Sequence, residues 1–175
     1  MRRLKVTELH RLTPEEYRES PKTPLVVLLD RVRSLHNVGS LFRTADAFRV
    51  KAIYLCGITA TPPHPEIHKT ALGAEDAVAW HACSDTLEAV RRLKEEEYVL
   101  CAVEQAEGSI ALDKLALDRN RKYALVLGHE MKGVQQAVID RCDCCIEIPQ
   151  IGTKHSLNVA VAGGMAIWEF FKQLR

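Results

Sequence analysis

Short unbroken apolar runs alternate with amphipathic stretches along this chain. The run Leu-Val-Val-Leu-Leu-Asp over 25–30 offers no polar position to either face until its end, as expected of a strand covered on both sides. Runs at 52–56, 98–103 and 123–128 predict strands of the same kind, and further ones at 77–82 and 145–149 complete the set. Between them the pattern predicts helices over 38–48, 86–97, 133–141 and 156–174; the second places Leu87, Val90 and Leu93 at helical spacing. Ahead of the first strand, Thr13 as cap, Pro14 in the first turn and Glu16 three residues after the cap predict a short helix. The segment around Pro62, Pro63 and Pro65, with His64 and His68, reads as a surface loop. Buried strands alternating with helices predict an α/β fold, a parallel-rich sheet with helices on both faces. No repeat or linker interrupts the pattern, so residues 1–175 read as one domain with 1–23 as a helical extension.

Composition narrows the function classes. The chain has 175 residues, 47% hydrophobic and 27% charged, which excludes disordered and fibrous classes. Its 24 Lys and Arg are nearly cancelled by 23 Asp and Glu, so nucleic acid cannot be held by bulk charge and needs a local patch. No apolar run reaches the roughly 20 residues of a membrane helix, and Met-Arg-Arg-Leu-Lys leads into polar residues rather than a signal-peptide core. The expectation is a cytoplasmic protein with its six cysteines reduced. Cys142, Cys144 and Cys145 lack the paired spacing of a metal site, and His64 with His68 has no evident third ligand, so no metal is expected.

A parallel sheet of this type offers a ligand site beyond the carboxyl ends of its strands. Neither a G-x-G-x-x-G turn nor a phosphate loop nor a G-x-S-x-G elbow is present. Three loops beside strand ends gather Gly, Asn, Ser and ionisable residues instead: 36–48 with Asn37 as a helix cap and Arg43, 127–134 with Glu130 between glycines, and 148–170 with Ser156 and Asn158 opening a helix.

These segments resemble, in order and spacing, the three motifs of the SpoU (TrmH-like) branch of the SPOUT RNA 2′-O-ribose methyltransferases. N-x-x-x-x-x-R matches Asn37 and Arg43; G-x-E-x-x-G matches Gly128, Glu130 and Gly133. I-P-x-x-G-x-x-x-S-L-N-V matches Ile148, Pro149, Gly152, Ser156, Leu157, Asn158 and Val159. The likeness runs from about Leu25 to the last helix, and the Val-Glu-Gln at 103–105 is most similar to the branch of tRNA guanosine methyltransferases acting on the D-loop.

The resemblance implies a deep trefoil knot over about 120–175, a homodimer with catalytic sites near the subunit interface, and S-adenosylmethionine as cofactor. It implies Arg43 as the central catalytic residue. A guanidinium stays protonated, so a role gripping phosphate and stabilising oxygen charge suits it better than that of a base. Asn37, Ser156 and Asn158 are expected to orient the ribose and Arg43, and Glu130 to fix the guanidinium or the knot loops. Cofactor contacts are expected from Glu104 through its backbone, Gly128, Ile148 and Leu157; RNA contacts from Arg31, Arg33, Lys154 and His155, joined by Arg2, Arg3, Lys5 and Arg11. The expected substrate is tRNA, with rRNA or a non-catalytic RNA-binding role as alternatives.

Overall fold

Seven strands form one sheet in the computed structural model, which describes residues 1–9 and 11–175. They are β1 (Thr23–Asp30), β2 (Val50–Cys56), β3 (Trp80–Cys83), β4 (Tyr98–Val103), β5 (Ile110–Ala111), β6 (Lys122–Gly128) and β7 (Cys144–Glu147). Their order is β3-β2-β1-β6-β4-β7-β5, and every pairing is parallel. The helices are α1 (Pro14–Glu19), α2 (Leu35–Ala47), α3 (Pro65–Ala71), α4 (Ala74–Ala77), α5 (Thr86–Glu95), α6 (Gln136–Ile139) and α7 (Val159–Leu174).

The unbroken apolar character of β1 follows from burial on both sides, because successive side chains point to opposite faces. Val27 and Leu29 pack with Leu41, Phe42, Ile67, Ile167 and Phe170 of α2, α3 and α7. Val26 and Leu28 pack with Val90, Leu93 and Val138 on the α5 side. The cysteines of β7 divide in the same way: Cys144 packs against the first core and Cys145 against the second. All six are free, and burial first, then nearby Cys145, Asp143 and Cys144, pushes the Cys142 thiol up to about 12.

Several expectations need correction. The segment after Pro63 is not a loop: His64 caps α3 by accepting the Glu66 N–H at 3.1 Å, and His68 sits within that helix. Three prolines hid this, although Pro65 occupies a first-turn position where its missing N–H costs nothing. The strand expected at 77–82 begins only at Trp80, because Ala74–Ala77 is helical. Helix α2 starts at Leu35 with Ser34 as cap, so Asn37 is not the cap; its N–H is given to Ser34 Oγ at 3.3 Å. Gly39 on α2 admits α3, since a Cβ there would lie 2.3 Å from the Ile67 carbonyl oxygen. Residues 133–141 hold only the short α6, and α7 starts at Val159 with Asn158, rather than Ser156, as its cap.

Candidate functional site

The carboxyl ends of β4, β6 and β7 surround a cavity of about 680 Å³. Its wall includes Glu104, Gly128, Glu130, Ile148, His155, Ser156, Leu157 and Asn158. All four expected cofactor residues therefore share one cavity with three of the five expected catalytic residues. Apolar Val103, Leu127, Ile146 and Val159 line it beside these polar groups, a mixture suited to a nucleoside-sized ligand.

A polar strap ties the three motif segments together. Glu130 Oε1 accepts the Ser34 N–H at 2.9 Å and the Asn37 side-chain amide at 3.0 Å, while Oε2 accepts the Arg33 N–H at 3.1 Å. Asn37 Oδ1 in turn accepts from Asn158 Nδ2 at 3.1 Å, across 121 positions of sequence. Asn158 Oδ1 accepts the N–H groups of Ala160 and Val161, closing the strap on the first turn of α7. Burial works to raise the Glu130 carboxyl, but the N–H donors of Ser34 and Arg33 and the Asn37 amide outweigh it and hold the group below the ordinary glutamate value. Glu130 therefore secures loops; the strap does not include Arg43.

Arg43 lies elsewhere. It is exposed on α2, where Ser40, Thr44, Ala47, Phe48, Lys69 and Thr70 form a shallow groove with it. Its side chain makes no hydrogen bond or ion pair among the described residues. The expected RNA residues also separate. His155 lines the cavity, and its carbonyl accepts from Gln105 Nε2 at 2.9 Å. Arg33 and Lys154 are exposed off the cavity wall, whereas Arg31 turns inward, its Nε 3.8 Å from Asp30 Oδ1. Of the amino-terminal basic residues, Arg2 pairs with Glu8 at 2.7 Å.

Sequence reasoning missed one buried group. Asp30, wholly buried at the end of β1, accepts from Thr86 Oγ1 at 2.7 Å, from the Gln135 N–H at 2.9 Å and from Gln135 Nε2 at 2.6 Å. It anchors the turn 133–135 behind the cavity. The available signal was an acid closing an apolar run, a position where a charge needs partners. Among the described residues no group of three or more His, Cys, Asp or Glu could hold a metal ion, and no helix is long and apolar enough to cross a membrane.

Residues 24–168 match the model of the SpoU rRNA Methylase family. A 23S rRNA (guanosine-2′-O-)-methyltransferase RlmB of Nitrosomonas europaea is 35% identical over 170 residues, which is 96% of this chain and 64% of that protein. Among solved structures, the AdoMet-bound rRNA methyltransferase from Sinorhizobium meliloti superposes with a TM-score of 0.80 at 27% identity, over 93% of this chain and 60% of that one. The TrmH/SpoU tRNA modifying enzyme of A. aeolicus gives 0.79 at 25% identity, over 91% and 80%. The chain spans about three fifths of the length of the curated relatives it matches.

Proposed function

The chain belongs to the SpoU rRNA Methylase family, and from that premise we propose that it transfers a methyl group from S-adenosylmethionine to a ribose 2′-hydroxyl of RNA. The observation that carries this reading is the meeting of three distant segments, through Asn37, Glu130 and Asn158, at the rim of one cavity. The cavity fits the cofactor: its volume of about 680 Å³ lies within the usual range for such ligands, and its wall pairs apolar side chains with the polar ends of strands. Glu104, Gly128, Ile148 and Leu157 would hold the cofactor there. We read the segment from about 120 onward as the family's knot; the insertion of β6 between β1 and β4, with β7 beyond β4, supports that reading.

S-adenosylmethionine, when bound, supplies a methyl group on a sulfonium. The chain must bring the hydroxyl into line, exclude water and stabilise charge on oxygen as its proton leaves. Asn158 and Ser156 on the cavity wall orient the ribose, and Asn37 fixes Asn158. Arg43 is suited to grip the neighbouring phosphate with its planar fork and to stabilise the oxygen.

Arg43 and the cavity then have to be brought together, and a second copy of the chain does so. Two observations support a homodimer. Arg43 has no partner among the described residues of its own chain, and α7 exposes an apolar stripe of Val161, Met165 and Trp168, at 49%, 46% and 44%. Trp168 lies beside Phe48, with ring centroids 5.5 Å apart, and Phe48 also borders the Arg43 groove.

The substrate reading moves from tRNA toward rRNA. The names of the first curated relatives favour a guanosine ribose in large-subunit rRNA, the alternative weighed above, over the D-loop of tRNA. Incubation with labelled S-adenosylmethionine and either rRNA or tRNA, followed by mapping of 2′-O-methyl positions, tests this. Label in rRNA guanosine is expected. Label in tRNA alone would restore the first expectation, and label in neither would overturn the methyltransferase reading.

A further inference from the structure

Glu104 follows the last residue of β4, where its N–H is given to the Ile146 carbonyl at 3.0 Å. Its carboxylate folds back onto the wall of the cavity. Oε1 accepts the Gln105 N–H at 2.9 Å and Oε2 accepts the Val134 N–H at 3.0 Å. The group is pressed against Gly133, which has φ +65; a Cβ there would lie 2.1 Å from Oε2. Any side chain at 133 would expel the carboxylate, so the glycine serves the acid as well as the turn.

An ionised carboxylate offers about four acceptor positions, and two N–H groups fill only half of them. No Lys or Arg pairs with Glu104 among the described residues. Glu130, by contrast, already serves three donors. Glu104 is thus a fixed anion on the cavity wall with one free acceptor position on each oxygen. Two parallel acceptors match two O–H donors on adjacent carbons. A sulfonium has no N–H or O–H to give, so a cation of that kind would leave both positions empty.

We propose that the Glu104 carboxylate accepts the 2′- and 3′-hydroxyls of the cofactor's ribose and so selects a ribonucleoside ligand. The proposal rests on the S-adenosylmethionine reading of this cavity and extends the role of Glu104 from backbone to side chain. A site built to receive hydroxyls rejects ligands that lack them, because its acceptors are then left unpaired.

The test is equilibrium binding by calorimetry on the full chain. The ligands are S-adenosylhomocysteine, 5′-methylthioadenosine and the 2′,3′-dideoxy form of the latter; the proteins are wild type and Glu104→Gln. Wild type should prefer 5′-methylthioadenosine to its dideoxy form by about 10- to 100-fold, the range for hydrogen bonds to a charged group. In Glu104→Gln that preference should fall to a few-fold, through weaker binding of 5′-methylthioadenosine and equal or tighter binding of the dideoxy form, whose unpaired charged acceptor is gone. A preference that survives the substitution, or equal weakening of both ligands, overturns the hydroxyl contact; equal weakening would mark a merely structural role. Dependence on Glu104 seen with S-adenosylhomocysteine and absent with 5′-methylthioadenosine overturns it in favour of the ligand's ammonium. If the variant fails to fold, a crystal of wild type with S-adenosylhomocysteine decides: the carboxylate lies within hydrogen-bond distance of both hydroxyls or the proposal is wrong. Failure of wild type to bind S-adenosylhomocysteine would overturn the cofactor reading itself.

Discussion

The two motif residues of α2 are treated in opposite ways by the same helix. Asn37, in its first turn, is held by Glu130 and Asn158. Arg43, six positions later, is exposed and free of partners among the described residues. At 3.6 residues per turn, six positions carry a side chain about 240° around the axis and about 9 Å along it. No straight helix can aim both at one point. The spacing N-x-x-x-x-x-R is therefore the signature of a helix that serves two surfaces, one facing its own cavity and one facing outward.

The sharpest way to break this contrast is Arg43→Ala. Loss of a group that stabilises developing charge on oxygen costs about 10²- to 10³-fold in turnover, and methyl transfer should fall by that much. Binding of S-adenosylhomocysteine and the melting temperature should stay as in wild type, because the side chain supports nothing in its own chain. Transfer within tenfold of wild type would remove Arg43 from the chemistry. Mixing subunits then asks which copy supplies the arginine. Arg43→Ala and Asn158→Ala chains, each inactive alone, should regain about a quarter of wild-type activity when randomly reassembled as a two-fold dimer. One site in each mixed dimer is then intact. No recovery would mean that both residues act within one chain.

The same helix shows how far the sequence could be read. Its apolar face, Val38, Leu41, Phe42 and Ala45, is legible at helical spacing and lies fully buried. The sheet was equally legible, because β1, β2, β4 and β6 are buried on both faces and tolerate almost no polar residue. The partners of Asn37 were not legible. They lie 93 and 121 positions away and meet only through strand order, which local spacing does not encode. Resemblance supplied the membership of that set but gave Glu130 two possible tasks, fixing the guanidinium or the knot loops; its carboxylate instead meets the Arg33 and Ser34 N–H groups and the Asn37 amide, at the start of α2. The segment around His64 and His68 was misread because prolines mark both loops and first helical turns, and only the His64 cap distinguishes them. Asp30 was overlooked because its partners, Thr86 and Gln135, are both remote.

A middle-sized effect belongs to the held side of the helix. Glu130→Ala leaves the Arg33 and Ser34 N–H groups and the Asn37 amide without their acceptor. For partly solvated donors the loss should be about 1–2 kcal/mol, or roughly 2–8 °C in melting temperature for a domain of this size. Arg43→Ala should show no such shift, and equal shifts in the two variants would erase the contrast between the helix's surfaces.

The smallest effect is a pH dependence, and its sign follows from the held state of Glu130. The folded carboxyl lies below the ordinary value of 4.5, the N–H groups of Ser34, Arg33 and Glu130 itself, with the Asn37 amide, having outweighed its burial. A lowered folded value means that the unfolded chain binds the proton more readily. The contribution is therefore fully present above the unfolded value and is lost as pH falls through the folded one. Other carboxylates titrate in the same range: Glu66 and Glu169 are held low by Lys69 and Lys172, and burial raises Asp46. Comparing wild type with Glu130→Gln cancels those shared terms. The gap in melting temperature between the two should be constant near neutral pH and should close below pH 4.5. A gap that widened in acid would mean that the protonated carboxyl is the better held form, which N–H donors cannot favour, and would remove Glu130 as the acceptor of the Ser34 and Arg33 N–H groups.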